Sequence, residues 1–206
     1  MLNILGRANS INVQKVMWCA AELTLEVERA DVGGAFGGNS TAEYLAQNPN
    51  GKVPTLVEGD FVLWESNAIV RYLCEQYGDI PWFPDTTRNR GLANQWMDWY
   101  LTGLHPFMTI IFWQLIRTAA KDQDMLAVRS ATEEAARYWQ MLDSHLANRD
   151  YILGPEPSMA DIPLGCAAYR WHRMDVNRPD LPNLKRWWDR LAARPAYQAH
   201  VMLPLT

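Results

Sequence analysis

Two short segments place hydroxyl, amide and carboxylate groups where a helix is predicted to begin. Ser10 and Asn12 stand at the start of one apolar stripe of helical spacing, and Glu65–Ser66 precede a second one. A helix N-terminus has unpaired N–H groups and favours negative charge, so either segment could bind an anion. Glu65 could also pair with an ammonium group. Simple capping of the two helices is the alternative interpretation.

Ser10 is a poor candidate for a catalytic nucleophile. The first cysteine of the chain is Cys19 and the first histidine is His105, so no base lies near Ser10 in the sequence. A serine nucleophile needs an adjacent base. Ser10 is therefore expected to act as a hydrogen-bond donor to an anion, with Asn12 beside it.

The Val53–Pro54 peptide bond is a third candidate feature. A bond before proline can be cis at a cost of about 0.5–1 kcal/mol. A cis bond would turn the N–H and C=O of Val53 out of the sheet, where a bound peptide could pair with them like an added strand. A trans proline at a strand edge is the alternative, but the nearby Glu65–Ser66 segment favours a ligand-binding role.

Composition excludes several classes of function. The net charge is −4 and the isoelectric point is about 5.6, with no basic stripe, so nucleic acid is not an expected partner. The cysteines Cys19, Cys74 and Cys166 are widely spaced, and the four histidines have no metal-ligand spacing, so no metal site is expected. Reduced cysteines indicate a cytoplasmic protein. The chain begins with a strand-like segment, and its most apolar stretch, 101–116, is too polar to span a membrane, so neither a secretory signal nor a membrane partner is expected.

The elements that must position these groups fall into two sets. The order βαβα followed by ββα predicts a small mixed sheet with helices over it. The predicted elements are a strand at 2–5, a helix from 13 capped by Asn12, strands at 25–32, 53–57 and 61–64, a short helix at 41–46, and a helix at 66–77.

The second half is predicted to be entirely helical. Its predicted helices cover 88–117 with a kink at Pro106, 125–146, a segment from Ser158, 184–193, and a short segment after Pro195. The prolines that precede this half indicate a linker. The predicted organisation is therefore a first domain at 1–80, a linker at 81–87 and a second domain at 88–206.

Three stretches, NPNGKVPTL (48–56), WESNAIVRYL (64–73) and ILGPEPSMADI (152–162), resemble the cytosolic glutathione S-transferases. The resemblance covers nearly the whole chain, with the stretches in the family's order and spacing. It implies a fold of α/β plus all-α class: a thioredoxin-like N-terminal domain with a mixed four-stranded sheet that binds glutathione, and an all-helical C-terminal domain that holds a second substrate.

The resemblance also implies roles for individual residues. Val53, before cis-Pro54, would pair with the cysteinyl backbone of glutathione, and Glu65–Ser66 would hold its γ-glutamyl end. Lys52 and Asn39 fall where the family contacts the glycine end. The Ser158–Asp161 segment matches the family's capping box, which concerns folding rather than catalysis.

The residues before the first helix indicate which class of glutathione S-transferase the chain resembles. No tyrosine stands there, so the tyrosine-type transferases do not match; Ser10 resembles the activating residue of the serine-type classes. The Ser10–Asn12 spacing also resembles bacterial nu-like proteins, which are associated with disulfide reduction by glutathione. Which of the two residues is the main sulfur contact stays open.

The implied activity is that of a glutathione S-transferase, which holds its co-substrate glutathione as a thiolate for attack on a small apolar electrophile. Phe107, Ile111 and Trp113 are the predicted residues of the hydrophobic site. A homodimer is expected, and its candidate surfaces are Trp96, Trp99 and the helix after Ser66. The alternatives are a glutathione-dependent disulfide reductase or peroxidase, and a non-catalytic binding protein of the same fold. The intact glutathione-binding set argues against the last, while the natural electrophile stays open.

Overall fold

The computed structural model describes all 206 residues. Its N-terminal part contains a four-stranded sheet with the strand order β2-β1-β3-β4. The strand β1 pairs in parallel with β2, whereas β1 with β3 and β3 with β4 are antiparallel. The strands are β1 Leu2–Leu5, β2 Val27–Ala30, β3 Thr55–Glu58 and β4 Phe61–Trp64. This confirms the predicted mixed sheet, although β2 is shorter than the pattern at 25–32 indicates.

Helices flank the sheet and make up the rest of the chain. Those of the N-terminal part are α1 Ile11–Glu22, α2 Ala42–Gln47 and α3 Ser66–Tyr77. Those that follow are α4 Thr87–Trp99, α5 His105–Phe112, α6 Met125–His145, α7 Asp161–Arg173, α8 Pro182–Ala192 and α9 Pro195–His200. The predicted fold class is confirmed, while the limits 1–80, 81–87 and 88–206 stay a prediction.

The helix α1 joins the two parts into one hydrophobic core. Its Trp18 has no exposed surface and meets Tyr197 of α9 edge to face, with ring centroids 4.8 Å apart. At the end of α1, the carboxylate of Glu22 accepts two hydrogen bonds from Arg194, each 2.7 Å long. The face of α1 that the sheet does not cover is therefore covered by the C-terminal helices.

The predicted helix at 88–117 is one helical run with two interruptions. Five-residue π-helical segments lie at Tyr100–Leu104 and Trp113–Arg117. The first ends just before Pro106, the residue at which a kink was expected. Pro106 has no N–H to donate, so the regular hydrogen-bond ladder of the helix is interrupted at this point.

The start of α3 at Ser66 is as predicted, whereas the start and the cap of α1 differ from the prediction. The N-cap of α1 is Ser10 and not Asn12, which lies inside the first turn. The N-cap of α3 is Glu65, and Ser66 is the first helical residue. Ser10 and Glu65 are thus the caps of the two helices, and Asn12 and Ser66 lie in the first turns that follow them.

The capping box before α7 is a buried hydrogen-bond centre. The carboxylate of Asp161, which has no exposed surface, accepts bonds from the N–H of Ser158 at 2.9 Å and its hydroxyl at 3.2 Å. It also accepts the N–H of Ile152 at 3.1 Å and the indole N–H of Trp187 at 2.8 Å. One carboxylate thus ties the loop before α7 to α8.

We expect Asp161→Asn to lower the free energy of unfolding by about 2–3 kcal/mol, because an amide cannot accept all four donors and buries an unpaired N–H group among them. Urea unfolding measures this change. Asp124→Asn is the control: Asp124 is the exposed N-cap of α6, where asparagine caps equally well. Equal stability of both variants would contradict the assignment.

Candidate functional site

Two adjoining cavities lie at the starts of α1 and α3, and Asn12 is the one residue that lines both. The first has a volume of about 40 Å³ and is lined by Asn12, Asn48, Asn50, Lys52, Val53, Pro54, Trp64, Glu65 and Ser66. The second has a volume of about 170 Å³ and is lined by Arg7, Asn9, Ser10, Ile11, Asn12, His105, Thr109, Phe112, Trp113, Arg117 and Arg170. We call them the inner and the outer cavity.

The wall of the inner cavity includes the Val53–Pro54 bond, which is cis. Neither the N–H nor the C=O of Val53 has a hydrogen-bond partner within the chain. The preceding carbonyl, that of Lys52, is held by the hydroxyl of Tyr44 at 2.6 Å and the amide of Asn48 at 2.8 Å. The backbone of Val53 is thus fixed in place and free to pair with an extended peptide.

The start of α3 forms the opposite wall. Glu65 has φ +74°, a left-handed conformation that is rare for a residue with a side chain and concentrates at functional sites. Its carboxylate is exposed, whereas Ser66 is buried. This turn leaves an acidic group at the mouth of the inner cavity and a hydroxyl with helix N–H groups inside it.

Lys15 is a functional candidate that the sequence patterns did not identify. Its side chain is completely buried beneath the inner cavity, and it takes part in no ion pair. Its Nζ lies 3.0 Å from Oδ1 of Asn12, 3.4 Å from Oγ of Ser66 and 3.5 Å from Oδ1 of Asn67. Burial lowers the pKa of Lys15 to about 8. A lysine on a helix normally faces solvent, so the sequence pattern does not indicate a buried functional lysine. Only the burial of Lys15 in the structure identifies it.

The bonds of Lys15 fix the orientation of Asn12. Oδ1 of Asn12 accepts from both Lys15 and the hydroxyl of Ser66, the latter at 3.2 Å. The amide NH₂ of Asn12 therefore remains as a donor at the junction of the two cavities. Ser10 lies on the outer side, and its hydroxyl makes no capping bond.

Lys52 and Asn39 lie in different surroundings. Lys52 is exposed and lines the inner cavity. Asn39 does not line it; its amide donates a 2.7 Å bond to the carbonyl of Gly51. Asn39 thus holds the loop before Val53 and does not itself contact the cavity.

The three predicted residues of the hydrophobic site do not share one surface. Trp113 lines the outer cavity, but Ile111 has no exposed surface and belongs to the core. Phe107 packs against Tyr138 of α6, with ring centroids 5.8 Å apart. The assignment of Ile111 and Phe107 to this cavity is corrected: helical spacing turns positions 105, 109 and 112 towards it, and 104, 108 and 111 into the core.

The outer cavity is mostly polar. Only Ile11, Phe112 and Trp113 contribute apolar side chains, and three arginines contribute charge. The arginines come from a loop, the end of the α5 run and α7, so no sequence motif unites them. The expected apolar surface is thus reduced to two aromatic rings and one aliphatic side chain.

The structure contains no group of three or more His, Cys, Asp or Glu side chains arranged to bind a metal ion. None of its helices combines the length and apolar character that crossing a membrane requires.

Two family models match the chain. Residues 2–75 match the N-terminal domain of glutathione S-transferases, and residues 104–195 match their C-terminal domain. The first match contains the sheet and the inner cavity, and the second contains α5 to α8.

Individual proteins match over the full length. Glutathione S-transferase GstB of Escherichia coli is 38% identical over 208 residues, covering all of both chains. Glutathione S-transferase 3 of Zea mays is 31% identical, covering 97% of this chain and 93% of its own. The theta class glutathione S-transferase of Xanthomonas axonopodis pv. citri, solved with glutathione bound, is 44% identical with a TM-score of 0.96, covering 100% of this chain and 99% of its own. The chain therefore belongs to the glutathione S-transferase family.

Proposed function

We propose that this chain binds glutathione with its γ-glutamyl end in the inner cavity and the rest of the tripeptide over the mouth of that cavity, and that the glutathione thiolate attacks an electrophile bound in the outer cavity. The observation that carries this proposal is the position of Asn12, whose amide lines both cavities. The glutathione-bound Xanthomonas axonopodis protein, at 44% identity, supports the choice of thiol. A cytoplasmic location is proposed with it, because all three cysteines are unpaired thiols.

Each group of glutathione can be matched to a residue in or around the inner cavity. The free N–H and C=O of Val53 would pair with the cysteinyl backbone, and the γ-glutamyl carboxylate would lie at the start of α3, by Ser66 and above the charge of Lys15. Glu65 would accept hydrogen bonds from the ammonium group, and Lys52 would donate to the glycine carboxylate. Asn39 would act indirectly, through the loop it holds.

The site must also favour the thiolate over the thiol. Each unit by which the pKa of a thiol falls requires about 1.4 kcal/mol of preference for the anion. The free NH₂ of Asn12, the N-terminus of α1 and the buried ammonium of Lys15 all act in that direction. The thiolate sulfur then forms a bond to an electrophilic carbon, and the leaving group departs with its electron pair.

A glutathione-dependent disulfide reductase is the second candidate, favoured by the donor role of Asn12 that the nu-like resemblance implies. No cysteine lines either cavity. Two glutathione molecules would therefore supply both thiols: the first attacks the disulfide and the second resolves the mixed disulfide. Turnover of 1-chloro-2,4-dinitrobenzene compared with that of 2-hydroxyethyl disulfide separates the two activities.

We expect the thiol of bound glutathione to have a lower pKa than free glutathione, and Asn12→Ala to raise it by about one unit through loss of the donor. Ultraviolet titration of the thiolate measures this value. Ser10→Ala should raise it less, because Ser10 lines only the outer cavity. Asn12→Asp keeps the bonds to Lys15 and Ser66 but places a negative charge beside the sulfur, and should raise the pKa most. A larger shift for Ser10→Ala would reverse the two roles.

Lys15 should make glutathione binding depend on pH. Its pKa is about 8, so its ammonium is lost as the pH rises through that value, and attraction for the γ-glutamyl carboxylate falls with it. S-methylglutathione, which has no thiol to titrate, is the ligand for calorimetry between pH 6.5 and 9.5. At pH 6.5, Lys15→Met should bind S-methylglutathione about tenfold more weakly than the wild type. At pH 9.5, the two proteins should bind it equally. Lys121→Met, at an exposed position that lines neither cavity, should follow the wild type throughout.

A homodimer is proposed from family membership, with a revised surface. Trp96 and Trp99 pack within their own chain, against His145 at 4.5 Å and Tyr138 at 5.4 Å between ring centroids. Two other apolar side chains are exposed, Trp64 on β4 and Leu92 on α4. We propose these two residues as part of the dimer surface.

Sedimentation at micromolar concentration should give about twice 23.6 kDa, and Trp64→Glu should shift the distribution towards the monomer. Met141→Glu, on the exposed face of α6, should leave it unchanged. A wild-type monomer at these concentrations would refute the dimer.

A further inference from the structure

Three guanidinium groups converge on the outer cavity, and no carboxylate lines it. Arg7 follows β1, Arg117 ends the helical run after α5, and Arg170 lies on α7. The chain as a whole carries a net charge of −4, so this concentration of positive charge is local to the cavity and not a general property of the surface.

These charges are not neutralised within the chain. None of the three arginines takes part in an ion pair. Arg7 and Arg117 make no side-chain hydrogen bond, and Arg170 makes one long bond of 3.4 Å to the carbonyl of Asn9. The Nε atoms of Arg7 and Arg170 are buried without any partner.

The groups also act on each other. Burial lowers the pKa of Arg170 to about 10, and the charges of Arg117 and Arg7 contribute in the same direction. Burial, together with the positive charges of Lys15 and Arg170, lowers the pKa of His105 in the cavity wall to about 4. Neutral His105 and unpaired arginines leave a site that binding of an anion would stabilise.

The geometry leaves the donor edges of the arginines available. The guanidinium of Arg170 lies over the ring of Phe112 at 3.7 Å, and that of Arg117 lies over the same ring at 5.6 Å. A cation–π contact uses none of the N–H donors of a guanidinium, and a guanidinium with free donors can bind a carboxylate through two bonds. Trp113 is 58% exposed and adds a second aromatic surface at the same cavity.

We propose that the second substrate is a small electrophile that carries a carboxylate, bound by Arg170, Arg117 and Arg7 with its apolar body against Phe112 and Trp113. This rests on the proposed function, since it names the substrate class of the same site. The volume of about 170 Å³ suits a compact molecule. During transfer the carboxylate takes no part: the glutathione sulfur bonds to the electrophilic carbon, and a halide or similar group leaves with the electron pair.

Product analogues test this without relying on turnover. S-carboxymethylglutathione and S-carbamoylmethylglutathione have nearly the same shape, but only the first carries the extra carboxylate. By calorimetry, the wild-type protein should bind the carboxymethyl form about tenfold more tightly, as expected for a charge-assisted hydrogen bond. S-methylglutathione, which ends at the sulfur, reports on the inner cavity alone.

The variants assign the preference to the arginines. Arg170→Met should reduce the tenfold preference to about twofold or less and leave S-methylglutathione binding intact. Because Arg170 is buried, Arg117→Gln serves as a second variant at an exposed position and should reduce the preference at least threefold. Arg129→Gln, exposed on α6 outside the cavity, should leave it unchanged.

Electrophiles extend the test to turnover. With glutathione saturating, 4-chloro-3-nitrobenzoate should have a lower KM than 4-chloro-3-nitrobenzamide. Arg117→Gln should raise the KM for the benzoate and leave the KM for the benzamide unchanged. Equal affinity of the wild-type protein for the two S-substituted glutathiones would overturn the inference, and so would a preference that survives both arginine substitutions. Failure to bind S-methylglutathione would instead overturn the proposed glutathione site.

Discussion

The buried ammonium group of Lys15 is the interaction on which the site depends. A lysine without a carboxylate partner is costly to bury, and here three neutral oxygen atoms, from Asn12, Ser66 and Asn67, surround it. Those contacts connect the first turn of α1 to the first turn of α3. They also decide which end of the Asn12 amide faces the cavities, so one buried charge sets the geometry at the junction of the two cavities.

The position of α1 explains how a single cleft can serve two substrates. Its first turn lies between the inner cavity, made by the sheet and α3, and the outer cavity, to which α5 and α7 contribute. Its buried Trp18 and its Glu22 attach it to α9. Because the second half of α1 is attached to α9, its first turn keeps a fixed position between the two cavities, with Asn12 lining both.

The two cavities differ in how they match charge. The inner cavity has both signs, with Glu65 at its mouth and Lys15 below it, which suits a zwitterionic γ-glutamyl group. The outer cavity has positive charge alone, from Arg7, Arg117 and Arg170. The inner cavity therefore has the charges needed to orient a peptide that carries both signs, and the outer cavity has those needed to favour an anion.

The sequence by itself determined the fold class and the order of the elements, because hydrophobic periodicity, glycine and proline are local signals. The Val53–Pro54 and Glu65–Ser66 segments could be found for the same reason: each lies within one short motif, and so does the capping box at Ser158–Asp161. Only the tertiary structure decided what depends on distance between elements: the depth of Lys15, the turning of Ile111 into the core, and the meeting of three arginines that are more than a hundred residues apart at their extremes. A side chain's burial and its charged neighbours are set by the packing of other elements against it, and no local pattern records that.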